Sequence, residues 1–86
     1  MRKTVVAGVL KMFLRTPEEV EDLYEDIALH LNWVYQKEND FVFFYESGTQ
    51  KLVGFLKDGE KELFVFREGP TQHDWLFLEK RYIQVL

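Results

Sequence analysis

The chain begins with an apolar stretch, Thr4 to Leu14, in which β-branched residues are frequent. This composition predicts a strand, with Gly8 as a candidate bulge. The stretch is interrupted by Lys11 and is shorter than the roughly 20 residues that a membrane-spanning helix needs. We therefore expect neither a signal peptide nor a membrane anchor here.

Apolar residues next recur at spacings of three and four, the period of an amphipathic helix. Thr16 is placed to cap this helix, with Pro17 at its first position and Glu19 completing a capping box. We expect the helix to end between Asn32 and Tyr35 and a polar connection to follow. The apolar stripe consists of Val20, Leu23, Tyr24, Ile27, Leu31 and Val34. The polar connection consists of Lys37, Glu38, Asn39 and Asp40.

Short aromatic and β-branched runs, separated by turn residues, then predict three strands. The Asp58-Gly59 pair is a strong hairpin signal, and Gly69-Pro70 ends the last run. The predicted strands are Phe41 to Glu46, Lys51 to Leu56 and Glu62 to Arg67, with a turn over Ser47 to Gln50 between the first two.

The C-terminal segment fits two secondary structures. Thr71 and Asp74 are spaced for a second capping box, which favours a helix. A strand is the alternative, although it would place Glu79 and Arg81 on the same face as Trp75. The residues that share one helical face are Trp75, Leu78, Tyr82, Val85 and Leu86.

Together these elements predict an α+β fold in a single domain spanning residues 1–86. We expect an antiparallel sheet of about four strands with two helices, in the order βαβββα, or with a strand in place of the last helix.

Apolar side chains point to both sides of all four predicted strands. Phe43 and Tyr45 point one way, for example, while Val42 and Phe44 point the other. A sheet that is covered on one side only shows apolar and polar alternation instead. Two helices on the same face would leave a broad aromatic surface exposed, which usually marks an interface. We therefore expect a homodimer or a protein partner, the alternative being a monomer whose elements cover both faces.

Acidic residues crowd the first three turns of the predicted helix, and the whole chain carries a net charge of −4. The helix dipole favours acids in the first turn but does not account for Glu25 and Asp26. We expect this face to dock a basic partner, the alternative being a solvated helix face. The predicted partner-binding residues are Glu18, Glu21, Asp22, Glu25, Asp26 and Leu29.

Residues that carry chemistry are few. The chain has no cysteine, which excludes disulfides and thiolate metal sites, and no spacing typical of metal ligands occurs. Ser47 lies in a predicted turn, so only His30 and His73 remain as candidates for a small enzyme or ligand-binding domain. We expect no enzyme, no catalytic residue, no metal and no cofactor.

Nucleic-acid binding is the other alternative. Aromatic side chains on a sheet can stack on single-stranded bases, and Phe43, Tyr45, Phe64 and Phe66 would form such a platform. The acidic net charge argues against it. The sequence thus favours a cytoplasmic, non-enzymatic interaction module, self-associating and with an acidic helix that docks a basic partner, as an inhibitor or antagonist from a phage or mobile element would.

Overall fold

A computed structural model describes residues 8–15 and 23–85, without the side chain of Val85. Two helices and six strands occur within these ranges. In chain order they are β1 (Val9–Leu14), α1 (Leu23–His30), β2 (Trp33–Glu38), β3 (Phe41–Glu46), β4 (Leu52–Lys57), β5 (Glu62–Phe66), α2 (Gln72–Arg81) and β6 (Tyr82–Val85).

The six strands form one sheet in the order β2-β3-β4-β5-β1-β6, and every neighbouring pair is antiparallel. Strands β2 to β5 follow one another directly. Strand β1 lies beside β5. The chain therefore crosses from β1 to the distant edge strand β2, and α1 is part of this connection. The predicted α+β class, with two helices and an antiparallel sheet, is confirmed; the predicted strand number and element order are wrong.

The first missed strand is β2. The sequence predicts a helix that ends between Asn32 and Tyr35 and a polar connection from Lys37, but α1 ends at His30 and β2 pairs with β3 along its whole length. Asn39 and Asp40 form a two-residue hairpin loop, in which Asn39 adopts a φ of 58°. Asparagine tolerates this left-handed conformation, so the loop fixes the hairpin. The pairing of β2 with β3, and not the helical spacing of Leu31 and Val34, decides the conformation of this segment.

The second missed strand is β6. Helix α2 begins with the predicted capping box, because Thr71 Oγ1 accepts from the Asp74 amide (3.2 Å) and Asp74 Oδ2 accepts from the Thr71 amide (3.0 Å). The helix ends at Arg81, however, and Tyr82 takes an extended backbone conformation. From there the chain pairs with β1, which would otherwise be a sheet edge. The C-terminal segment is therefore a helix followed by a strand.

One hydrophobic core joins both helices to the same side of the sheet. Alternate strand residues supply Phe44, Leu56 and Leu63, and the helices supply Ile27 and Leu78, all of which are fully buried or nearly so. We call this side the covered face. No helix in the described ranges is long and apolar enough to cross a membrane.

The predicted strands Phe41 to Glu46, Lys51 to Leu56 and Glu62 to Arg67 correspond closely to β3, β4 and β5. Both predicted turns between them are present, and Gly59 adopts a φ of 86°. The predicted capping of the first helix by Thr16, Pro17 and Glu19 lies outside the described residues.

Candidate functional site

The side of the sheet opposite the helices carries half of the aromatic side chains of the protein, seven of fourteen. Directly opposed residues of antiparallel strands share a face. The strand register therefore shows, for each phenylalanine of the sheet, which of the two faces it lies on. Six of the eight phenylalanines point away from the core. This aromatic face comprises Phe13, Phe41, Phe43, Phe55, Phe64 and Phe66, together with Val9, Val34, Tyr45, Leu52 and Ile83.

Phe55 on β4 lies at the centre of the aromatic face. It is directly opposite Phe43 on one side and Phe64 on the other. Its ring centroid is 5.0 Å from that of Phe64, with the two rings stacked, and 6.1 Å from that of Phe43. Phe66 completes the cluster at 6.2 Å. These distances are typical of favourable aromatic pairs, so the rings form a continuous apolar surface.

The periphery of the aromatic face is the most exposed part. Phe13 and Phe41 are 42% and 40% exposed, and Val34 and Ile83 are 48% and 46% exposed. The central rings are half-buried because they pack against one another. Both described helices lie on the covered face, so neither shields these side chains. Side chains of this size that border one another form the kind of patch that marks an interaction surface.

The strand residues of this face carry balanced charges. Lys11 and Lys57 provide two cations, and Glu38 and Glu62 provide two anions. Lys11 Nζ lies 3.1 Å from Glu62 Oε2, so one pair is already formed within the chain. The aromatic face is thus neutral on a protein whose net charge is −4.

Two shallow cavities border the aromatic face. One, of about 390 Å³, is lined by Val34, Gln36, Tyr45 and Gln50. The other, of about 350 Å³, includes Leu52 and Phe66. A third cavity, of about 380 Å³, lies between α2 and β6 and includes Arg15, Arg67 and Trp75.

Only part of the predicted acidic site can be located. Glu25, Asp26 and Leu29 lie on α1, whereas Glu18, Glu21 and Asp22 lie outside the described residues. The Asp26 carboxylate is engaged within the chain, because Oδ2 lies 2.8 Å from Arg81 Nη2 and Oδ1 lies 3.4 Å from His30 Nδ1. Leu29 is 81% exposed, the largest exposure among the large apolar residues described.

The two histidines are apart from the cavities. His30 stacks on Phe77, with ring centroids 5.1 Å apart, and so helps to join α1 to α2. His73 is exposed in the first turn of α2. Neither lines one of the three cavities above, and the described residues contain no group of His, Asp or Glu that could hold a metal ion.

Sequence reasoning missed the contact that joins β2 to α2. Trp33 Nε1 donates a hydrogen bond to Asp74 Oδ2 at 3.3 Å, and both side chains are buried. The capping role of Asp74 was foreseen, but its second donor lies 41 residues away, a separation that no local pattern reveals. Burial of the Asp74 carboxylate is tolerated because it accepts hydrogen bonds from two donors.

Lys37 makes a further contact, near the edge of the sheet. Its ammonium lies 3.2 Å from Asp58 Oδ2 and 5.3 Å from the centre of the Tyr24 ring. The hydrogen bond and the charge of Asp58 raise the pKa of Lys37 above its ordinary value. The group stays charged at neutral pH and ties β2 to the turn after β4.

The arrangement therefore offers a neutral aromatic surface and a partly neutralised acidic helix. Comparison of the chain with family models, with curated proteins and with solved structures found no match.

Proposed function

We propose that this protein is a cytoplasmic, non-enzymatic interaction module that self-associates through its aromatic face. The observation that carries the proposal is the gathering of six phenylalanines on the side of the sheet away from both described helices. Burying apolar surface is favourable by about 25 cal/mol for each Å² removed from water. Association is the direct way for such a surface to be buried.

The size of the aromatic face fits a modest interface. Six strands about 4.8 Å apart and about 20 Å long give a projected area of about 500 Å² on each copy. Two such faces approach the roughly 1,000 Å² that a specific interface needs, and the accessible area of a corrugated surface exceeds its projection.

The charges of this face favour a protein partner over nucleic acid. Binding of phosphates requires excess lysine and arginine, and the gain comes from released counterions. Here Lys11 and Lys57 are matched by Glu38 and Glu62. Stacking of bases on Phe43, Tyr45, Phe64 and Phe66 remains the alternative; retention of single-stranded DNA on a filter at low salt would support it over the proposal.

The substitution Phe55→Glu tests the interface, because Phe55 lies at the centre of the aromatic face between two other phenylalanines. A carboxylate at this position would be buried in the dimer at a cost of several kcal/mol, so we expect a monomer in sedimentation velocity. Leu76→Glu is the matched control, because Leu76 is 57% exposed on α2, away from the aromatic face. Both variants should keep the far-ultraviolet circular dichroism spectrum of the native protein. A Phe55→Glu variant that still dimerises like the control would contradict the proposal.

A second surface on α1 supports the docking of a basic partner. Leu29 is 81% exposed and Glu25 is exposed, so an apolar contact and a carboxylate are both available there. Asp26 contributes less, because Arg81 already lies against it. An acidic surface of this kind steers a basic partner into place and suits an inhibitor or antagonist of phage or mobile-element type.

Capture of proteins from the native host tests this second surface. Glu25→Lys combined with Leu29→Ser should abolish capture of a basic partner without unfolding the chain, since both side chains are exposed. Asp26 is left unchanged, because its pairing with Arg81 joins the two helices. Glu79→Lys, at an exposed position on α2, is the control, because it raises the net charge by the same amount as Glu25→Lys. Equal capture by the native chain and the double variant would rule out this surface.

A further inference from the structure

The aromatic face has an ordered pattern about the centre line of the sheet. This line runs between β4 and β5, with β3 and β1 on either side and the edges β2 and β6 outermost. In the middle row of side chains, Phe43, Phe55, Phe64 and Lys11 lie opposite one another in turn. We call the row nearest the Asp58-Gly59 turn the charged row; it contains Glu38, Phe41, Lys57, Glu62, Phe13 and Ile83.

A two-fold axis along this centre line would make the face complementary to itself. The axis lies between the two sheets and parallel to the strands. It places β4 of one copy over β5 of the other, and β3 of one copy over β1 of the other. In the charged row, Lys57 of one copy then meets Glu62 of the second copy, whose carboxylate also contacts Lys11 of its own chain, and the reciprocal contact forms as well. In the same row, Phe41 of one copy meets Phe13 of the other.

The middle row is matched by the same operation. Phe55 of one copy meets Phe64 of the second, and Phe43 meets Lys11. Phenylalanine rings pack well on each other, and a lysine ammonium is attracted to the face of an aromatic ring. Glu38 meets Ile83 at the outer edge of the interface, where water still reaches the carboxylate. No strand residue of the charged row or the middle row would bury a charge against an equal charge.

We propose that the occupant of the aromatic face is a second copy of this chain, related by a two-fold axis along the line between β4 and β5. This inference rests on the proposed function and adds to it the position of the symmetry axis and the register of the two sheets.

Other placements of the axis fit the face less well. An axis across the strands would lay the charged row over the row of Val34, Tyr45 and Leu52, burying Lys57 and Glu62 without partners at a high cost. An axis along an outer strand would leave half of each aromatic face in water.

Reciprocal charge reversal tests the charged row. Lys57→Glu would set like charges against each other, and we expect the dimer dissociation constant to rise about tenfold or more. The double variant Lys57→Glu with Glu62→Lys restores opposite charges and should recover most of the affinity. Lys80→Glu on α2 changes the net charge equally and should have little effect. A Lys57→Glu variant that dimerises as well as the Lys80→Glu control would overturn the proposed register.

Site-specific cross-linking tests the register directly, since the native chain has no cysteine. A mixture of the Lys57→Cys and Glu62→Cys variants should be joined by a bifunctional thiol reagent about 10 Å long, since packed sheets lie about 10 Å apart, beyond the reach of a disulfide. The yield should be several-fold higher than for Glu38→Cys alone, because the same axis places the two copies of this edge position at opposite sides of the interface. A mixture of Leu29→Cys and Leu76→Cys, at exposed helix positions on the covered side, should give little.

The same samples separate the two proposals. If sedimentation shows a dimer but positions 57 and 62 do not cross-link, the register is wrong and self-association stands. If sedimentation shows only monomers, both proposals are wrong. Selective cross-linking of 57 to 62 in a dimeric sample supports both.

Discussion

At the scale of single residues, Trp33 and Asp74 form the main polar contact of the core. Asp74 Oδ2 accepts from the Thr71 amide and from Trp33 Nε1, so it caps α2 and holds β2 at the same time. The exposed fractions are 3% for Trp33 and 7% for Asp74. A buried carboxylate that loses one of its donors is destabilised, because water cannot replace the lost hydrogen bond.

Trp33→Phe should therefore reduce the free energy of unfolding by about 1–3 kcal/mol, through the lost hydrogen bond and the smaller side chain. Urea denaturation followed by circular dichroism measures the change. Trp75→Phe is the matched control, because Trp75 is only half-buried. If both variants lose the same free energy of unfolding, the Trp33–Asp74 hydrogen bond does not contribute the stability expected of it.

Lys37 gives a pH dependence with a defined sign. Asp58 raises the pKa of Lys37 above 10.5, so the folded protein binds this proton more tightly than the unfolded chain does. The stabilisation is fully present below the unfolded pKa and is lost as the pH rises through the higher folded pKa.

The melting temperature of Lys37→Met, relative to the native protein, measures this effect. We expect the difference to be constant from about pH 7 to about pH 9 and to shrink above about pH 11, where lysine loses its charge. Lys80→Met provides the control for removal of a surface lysine from α2. A difference that grows on the alkaline side would show that the Asp58 contact is not its source.

At the scale of elements, the β4 strand is held unusually close to β5 at Gly54. A Cβ atom placed at Gly54 would lie 2.6 Å from the Phe64 carbonyl oxygen, closer than side-chain atoms approach backbone. The register of β3 and β4 also shifts beside this glycine, between Phe44 and Tyr45. Close approach and bulge together make glycine the residue that this strand requires.

Gly54→Ala should accordingly destabilise the fold by about 1–3 kcal/mol, since the backbone must move to admit the methyl group. Chemical denaturation gives the value. Gly48→Ala is the control, because nothing lies within 4 Å of the added atom in the turn between β3 and β4. Equal stability of the two alanine variants would contradict the close packing of β4 against β5.

The elements predicted well are those with local signals. Strands β3 to β5 are framed by turn residues such as Asp58-Gly59, and α2 begins at its capping box. Strands β2 and β6 were missed because each continues a helical spacing of apolar residues, and only pairing with β3 and β1 decides their conformation. Tertiary contacts of this kind are not encoded in local periodicity.

The candidate site could likewise be predicted only in part from the sequence. The two-sided strands indicated that one apolar face would be open if the helices shared a side, but the sequence did not show which face. The contact of Asp26 with Arg81 joins residues 55 positions apart, so the neutralisation of part of the acidic helix had no signal in the sequence.

At the scale of the whole molecule, the described residues form two layers with opposite surfaces. The covered face of the sheet is packed by α1 and α2, and the aromatic face has an aromatic centre and no net charge. Association through the aromatic face would turn two layers into four and leave the acidic helices outermost. Such a dimer would present two acidic surfaces to the proposed basic partner, which would raise the avidity of binding.

Sedimentation equilibrium of the native chain is the most direct test of self-association through the aromatic face. We predict a single species of twice the 10.4 kDa chain mass at high micromolar concentration, dissociating to one chain mass on dilution. A constant mass of one chain over the whole concentration range would contradict self-association.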